Sequence, residues 1–266
     1  VPDMKTGLDW SAWTGAGGGF QGAVEMCNNN GACRKFDAGV MCPSYRVTRN
    51  EKDVTRGRAN TLRLAISGQL GEDALTSPDM RDTMKHCVSC KACRRECPTG
   101  VDMAKMKIEV QRAHAEKHGL SLHEKLVANL PSTARLASRL PWAFNLRDTL
   151  HSMAALTENL TGFTAKRPLP RWRPDAFRGK GPYGPEDGRD VVLFADTFNR
   201  YFEPENVHAA IRVLVATGAR IHMARGPGRK PLCCGRTYLT AGLVEKARRE
   251  AKRFIRALKP HIDAGH

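Results

Sequence analysis

The stretch HCVSCKACRRECPTG, residues 86–100, sets Cys87, Cys90, Cys93 and Cys97 in one run and closes it with Pro98. Two-residue spacers let a single loop carry three thiolates to neighbouring corners of a small inorganic cluster. The proline then turns the chain away, so that the fourth thiolate faces elsewhere. Zinc favours four ligands drawn as two separated pairs, and an unbroken run of four cysteines ending in proline points instead to iron–sulfur ligation.

Working outward, CNNNGACRKFDAGVMCPSY, residues 27–45, supplies Cys27, Cys33 and Cys42, and it also ends in a Cys-Pro pair, Cys42-Pro43. In two-cluster proteins the Cys-Pro thiolate of one run ligates the other cluster. That crossover predicts Cys42 with Cys87, Cys90 and Cys93 on a [4Fe–4S] cluster, and leaves the three thiolates of Cys27, Cys33 and Cys97 for a second cluster. Asparagines and Gly31 stand where a middle cysteine would complete the first run. They read either as a source of a non-cysteine ligand, Asn30 or water, or as a polar turn whose N–H groups bond cluster sulfurs.

The remaining composition suits this chemistry. An odd total of nine cysteines, bunched at short spacings, is poor material for a disulfide framework and good material for reduced, metal-binding thiolates, which places the chain in the cytoplasm. Val1 to Trp13 contains charges and no signal-like apolar core, and no apolar stretch reaches the length of a membrane span. Any membrane association is expected to be peripheral, at the inner face. Val1 stands where a methionine would open a chain, so the sequence reads as a fragment or an isolated module. With 266 residues and 41% hydrophobic content, one or two domains with real cores are expected.

The formal charge of +16 fits nucleic acid, an anionic membrane surface or an acidic protein partner. Its basic residues are dispersed, with no aromatic row for stacking bases, so nucleic acid is the less favoured partner. A basic nucleic-acid-binding protein with structural iron–sulfur or zinc sites is the rival reading. Arg46, Arg56 and Arg58 are expected mainly in structural ion pairs, with docking of an acidic neighbour or a carboxylate as the alternative. His86 and His208 are given no role.

Along the chain, Gly17 to Gly22 formally satisfies G-x-G-x-x-G, but Asp9 to Thr14 does not read as the buried strand such a phosphate loop requires, and a flexible lead-in is expected. Apolar spacing predicts a helix from Asp53 to Leu70 stopped by Gly71, and another from Asp102 to Gly119. Short helices broken at Pro131 and Pro141 are expected up to Leu160. Prolines and glycines crowd residues 164–188 and mark a linker. Beyond it Val191–Phe194 and Ala219–Ala224 read as strands, Pro204–Thr217 as a helix, and Val244, Ala247, Ala251, Phe254 and Leu258 as one face of a last helix. Cys233 and Cys234 fall at a strand-to-helix turn. The expected domains are 1–163, 164–188 as linker, and 189–266.

Three resemblances carry further expectations. The C-x5-C pair with a Cys-Pro thiolate resembles the iron–sulfur subunit of succinate dehydrogenase and fumarate reductase, which implies [3Fe–4S] as an alternative to [4Fe–4S] for Cys27, Cys33 and Cys97. KPLCCGRTYLTAGL resembles the CCG motif of the cysteine-rich domain found in heterodisulfide reductase and in the iron–sulfur subunits of glycolate oxidase and anaerobic glycerol-3-phosphate dehydrogenase. That implies a redox or metal role for Cys233 and Cys234, although no cysteine between Cys97 and Cys233, or after Cys234, completes a ligand set. Taken together, both cysteine groups and the stretch VVLFADTFNRYFEPENVHAAIRVLVATGARIH look like the carboxyl-terminal part of FAD-linked oxidases of D-2-hydroxy acids. The fold so implied is a mainly α helical-ferredoxin domain binding two clusters, followed by a partial α/β cysteine-rich domain. Its FAD would sit on a domain or partner subunit outside this chain. Electrons would pass to a quinone, a cytochrome or a soluble carrier. The hydroxy acid, the acceptor and any homo-oligomer are left open.

Overall fold

A computed structural model describes residues 5–13, 17–226, 228 and 231–266. Packing divides the chain into two units, one drawn from the residues up to Gly119 with Thr240–Val244, the other from Leu120–Leu239 with Glu245–His266.

The first unit is helical: α1 (Gly19–Glu25), α2 (Pro43–Thr48), α3 (Thr55–Ile66), α4 (Pro78–Lys85), α5 (Ala92–Glu96) and α6 (Met103–His118). Ala59, Leu62, Ala65 and Ile66 form the buried face of α3. The helix ends at Ile66, short of the expected Leu70, because Gly68 already takes the left-handed conformation that stops it. On α6, Asp102 caps the start by accepting the Lys105 N–H at 3.0 Å, and Gly119 closes the end. These helices surround a core containing Val24, Val54, Leu62, Met80, Met84 and Met106, and four of the cysteines are buried in it.

Residues 5–13, the described part of the chain ahead of Gly17, depart from the flexible lead-in expected there. Trp10 is buried, packs edge-on against Phe20 and donates from Nε1 to the Glu109 carboxylate at 2.9 Å. A buried carboxylate gathers N–H donors strongly, and that attraction, invisible in local composition, holds residues 7–10 in place. Among the described residues no strand precedes α1, so the glycine run lacks the setting of a dinucleotide loop.

The second unit holds α7 (Leu122–Ala137), α8 (Pro141–Thr149), α9 (His151–Thr161), β1 (Arg189–Leu193), α10 (Thr197–Tyr201), α11 (Pro204–Ala216), β2 (Ala219–Met223) and, apart from Thr240 and Val244, α12 (Arg236–Thr240) and α13 (Val244–Asp263). The two strands are parallel, with Val191 opposite Ile221. A parallel pair needs a long connection, which α10 and α11 supply. Phe177, Val207, Ile211, Ile221 and Met223 form the core beside them. Pro131 does not break its helix as expected: α7 runs through it, started by a capping box of Ser121 and Glu124 and buried along Ala128, Pro131, Ala134 and Ala137.

By packing, α7 to α9 go with the second unit, whereas composition groups them with the first. The Pro/Gly-rich residues 164–188 form no helix, yet Tyr183 exchanges backbone hydrogen bonds with Ile221 at 3.1 and 2.8 Å, and Ala176 and Phe177 are buried. No helix among the described residues is long and apolar enough to cross a membrane.

Candidate metal centre

Cys42, Cys87, Cys90 and Cys93 line one small cavity together with Thr55, Arg58 and Met103. Cys42 reaches it from a left-handed backbone (φ 52°, ψ 67°) immediately before α2. Ser89 and Lys91 are also left-handed, at φ 54° and 62°, so the chain from Cys87 to Cys93 curls tightly. Each such non-glycine residue costs on the order of 1 kcal/mol, which ligation of a shared cluster would offset. Glu96, at the end of α5, accepts the N–H groups of Val40 and Met41 at 3.0 and 2.9 Å, so the loop carrying Cys42 is tied to the second cysteine run.

Donors converge on the sulfurs. Thr55 gives its N–H to Cys42 Sγ at 3.1 Å, and its hydroxyl lies 2.9 Å from the same atom. The Arg56 N–H is directed at Cys33, and the N–H groups of Met103 and Ala104 at Cys93. All four N–H groups belong to the first turns of α3 and α6, where the backbone has no partner within the helix and the helix dipole favours negative charge. Cys97 is approached by the backbone of Thr99, Gly100 and Val101, with the Thr99 hydroxyl at 3.3 Å.

Burial pushes the Cys33 and Cys93 thiols up to about 11 and raises Cys42 as well, against these donors. At Cys97 burial also acts upward, but the Thr99 hydroxyl and three N–H groups prevail and the thiol is lowered. Sulfur atoms that are desolvated yet ringed by N–H donors suit thiolates whose charge is neutralised by bound iron. The donor set therefore fits iron–sulfur clusters. Cys27, Cys33 and Cys97 belong to or pack against the hydrophobic core of the unit and are not in the lining of the cavity around Cys42. Cys90 is exposed.

The asparagine run forms a turn. Asn30 Oδ1 accepts the Ala32 N–H at 2.9 Å, its amide donates to Asn28 at 2.6 Å, and Asn29 accepts from Asn60 at 2.9 Å. His86 sits 3.0 Å from Asp53, and His208 lies against the Phe177 ring. Arg56 pairs with Glu51 at 2.7 Å, while buried Arg58 lies 3.5 Å from Asp53 and donates to the Thr83 carbonyl at 3.0 Å. Arg46 donates to the carbonyls of Met41 and Asp37. All three arginines are thus engaged within the unit. Thr55, Thr99 and the first turns of α3 and α6 went unnoticed in the sequence; the visible signals were Asp102 as a helix cap and a threonine two residues beyond Cys97.

In the second unit, Cys233 is buried and Cys234 exposed, just before α12. The Gly235 N–H donates to Cys233 Sγ at 3.4 Å, and a Cβ on Gly235 would lie 3.0 Å from the Ala247 carbonyl oxygen of α13, at φ 81°. The hydrogen bond between the two thiols, then burial, raises Cys233. The same bond, helped by the Arg236 N–H, brings Cys234 down to about 6.

Residues 23–101 match the 4Fe-4S dicluster domain. The chain is 25% identical over 268 residues to a D-2-hydroxyglutarate dehydrogenase of Pseudomonas putida, across 84% of this chain and 26% of that protein. It is 26% identical to the D-2-hydroxyglutarate dehydrogenase of Pantoea ananatis, across 75% of this chain and 24% of that protein. It is 25% identical to the glycolate oxidase iron-sulfur subunit of Escherichia coli, across 91% of this chain and 54% of that protein. The chain thus spans about a quarter of the length of these two dehydrogenases. No solved structure matches it.

Proposed function

We propose that this chain, an iron–sulfur protein homologous to D-2-hydroxyglutarate dehydrogenases and to the glycolate oxidase iron-sulfur subunit, is the electron-transfer module of a flavin-dependent 2-hydroxy-acid dehydrogenase. The observation that carries the reading is the convergence of Cys42, from one cysteine run, with Cys87, Cys90 and Cys93, from the other, around one cavity. In this reading those four thiolates hold a [4Fe–4S] cluster, and Cys27, Cys33 and Cys97 hold a second cluster of three or four irons. When bound, the clusters accept and release single electrons at potentials set by burial and by hydrogen bonds to sulfur.

The chain's own residues do the tuning. Thr55, Arg56, Met103 and Ala104 stabilise negative charge on sulfur, and apolar neighbours such as Met103 keep water from it. The exposed Cys90 and Val88 mark where a redox partner comes closest to the first cluster. FAD and hydroxy-acid recognition belong to a further domain or a partner subunit, and a quinone, cytochrome or soluble carrier takes the electrons. Residues 189–266 are part of a CCG-type domain, in which Cys233 and Cys234 have a redox or metal role. The setting is the cytoplasm or the inner face of its membrane.

Anaerobic purification with iron, sulfide, zinc and flavin analysis, followed by electron paramagnetic resonance, tests this reading. Two redox-active signals are expected, with about seven or about eight irons per chain for a three-iron or four-iron second cluster. Cys42→Ser should disturb the same signal as Cys90→Ser, and Cys97→Ser the other. Zinc without acid-labile sulfide, or Cys42→Ser and Cys97→Ser acting on one signal, would overturn it.

A further inference from the structure

The outer face of the short sheet in the second unit carries an unassigned cluster of ligand-type side chains. Asp190 on β1 and His222 on β2 are diagonal neighbours, since Asp190 is opposite Arg220 and Val192 opposite His222. His222 Nε2 lies 2.5 Å from Asp190 Oδ1, and His266 Nε2 lies 3.8 Å from Asp190 Oδ2. One ligand atom from each of the three residues falls within 4.8 Å of the others.

Local structure fixes the third member. At the end of α13, Gly265 takes φ 83°, its N–H donates to the Ile262 carbonyl at 3.0 Å, and the His266 N–H donates to the His261 carbonyl at 3.0 Å. This Schellman pair of bonds folds residue 266 back over residue 261. The rings follow: His261 Nδ1 and His266 Nδ1 are 3.3 Å apart, and the His222 and His266 rings stack at 4.8 Å.

We infer that Asp190, His222 and His266 form a binding site for a divalent transition metal of the zinc class, with His261 as the residue that orients His266. Two imidazoles and one carboxylate with a fourth position open is a donor set zinc accepts, at about 2.0–2.1 Å from each ligand atom. In the tautomer in which His266 Nδ1–H donates to His261 Nδ1, the Nε2 of His266, 3.8 Å from Asp190 Oδ2, is free to ligate a cation. Fixing a ligand tautomer through the second ring nitrogen is the usual outer-sphere role of such a partner. Arg220, opposite Asp190 across the strands, donates to the Glu186 carbonyl at 3.1 Å.

The test uses the full chain with its clusters assembled anaerobically, equilibrated with Zn2+, with zinc and iron measured together and the zinc environment read by X-ray absorption. The expected result is one zinc per chain in a nitrogen/oxygen shell at about 2.0–2.1 Å, retained in the Cys233→Ser/Cys234→Ser variant. His222→Gln and Asp190→Asn should each weaken binding at least ~10-fold, and His261→Gln by roughly 10- to 100-fold. Should His222→Gln fail a circular-dichroism check of folding, His266→Ala, at a residue beyond the last turn of α13, takes its place. The inference fails if no zinc is bound beyond the iron–sulfur background, if the shell is sulfur at about 2.3 Å and disappears with the two cysteines, or if the sheet-face variants bind zinc as tightly as the parent.

Discussion

Thr55 holds the Cys42 sulfur twice, through its N–H at 3.1 Å and its hydroxyl at 2.9 Å. The backbone bond survives any substitution that keeps the helix, so Thr55→Val removes the hydroxyl alone. A hydrogen bond to charged sulfur stabilises the more reduced, more negative cluster. Losing ~1.4 kcal/mol of that stabilisation corresponds to a potential on the order of 60 mV lower for a one-electron couple. A redox titration followed by electron paramagnetic resonance should show the shift in one signal and not the other. Equal shifts in both would mean that Cys42 does not belong to a single cluster.

Glu109 is the anchor of the segment before α1. Its buried carboxylate accepts from the N–H of Gly7 at 2.9 Å, from that of Leu8 at 2.7 Å and from Trp10 Nε1 at 2.9 Å, and it pairs with Arg112 at 3.1 Å. Glu109→Ala strands the buried Trp10 Nε1–H and the N–H groups of Gly7 and Leu8, while Arg112 keeps its pairing with Glu116, and a loss of about 1–3 kcal/mol is expected. Thermal unfolding measures the loss. Tryptophan fluorescence should shift to the red in the native state as Trp10 gains water, and an unshifted spectrum would show the segment held by packing alone.

Much of this was legible in the sequence, for local reasons. Asp102 and Gly119 bound α6 by capping chemistry, which depends on near neighbours, and both ends agree with the sequence reading to within a residue. The cysteine spacings likewise drew attention to residues that share one cavity. What stayed hidden depends on distant partners. Glu109 meets Gly7 across about a hundred residues, the Arg56 N–H finds Cys33 only because α3 starts there, and Pro131 lies inside α7 because burial on both sides of it outweighs one missing N–H. The Pro/Gly-rich residues 164–188 avoid regular structure, as their composition implies, but composition does not reveal that Tyr183 bonds to β2.

Cys234 should be the reactive member of its pair. Its thiol is brought down to about 6 by the hydrogen bond from Cys233, so it is largely thiolate above that pH, whereas an ordinary thiol ionises near ~8.5. Alkylation by iodoacetamide, mapped by mass spectrometry, should rise through about pH 6 and level off near neutrality at Cys234, with buried Cys233 protected. Cys233→Ala removes the donor, and the reactivity profile should move up towards the ordinary thiol range. A profile unchanged by that substitution would assign the acidity to other groups.

Gly57 reverses the usual sign of a helix substitution. Replacing a helical glycine by alanine normally gains about 1 kcal/mol. Here the new Cβ would lie 1.9 Å from the Glu51 carbonyl oxygen and 2.8 Å from its carbonyl carbon, because the turn over Glu51–Asp53 rests directly on the first turns of α3. Backbone cannot rotate aside as a flexible side chain does, and overpacking of this kind costs typically 1–3 kcal/mol or more. Gly57→Ala should therefore lower the melting temperature by roughly 5 °C or more despite its better helix propensity. The displaced turn carries Glu51, which pairs with Arg56, and Asp53, which faces Arg58, so the start of α3 should move with it. Thr55 and Arg56 would then withdraw their N–H groups from Cys42 and Cys33. On the two-cluster proposal, both potentials should fall together in the redox titration, unlike the single shift expected of Thr55→Val. A stable Gly57→Ala protein with parental potentials would mean that the Glu51 turn does not press on α3.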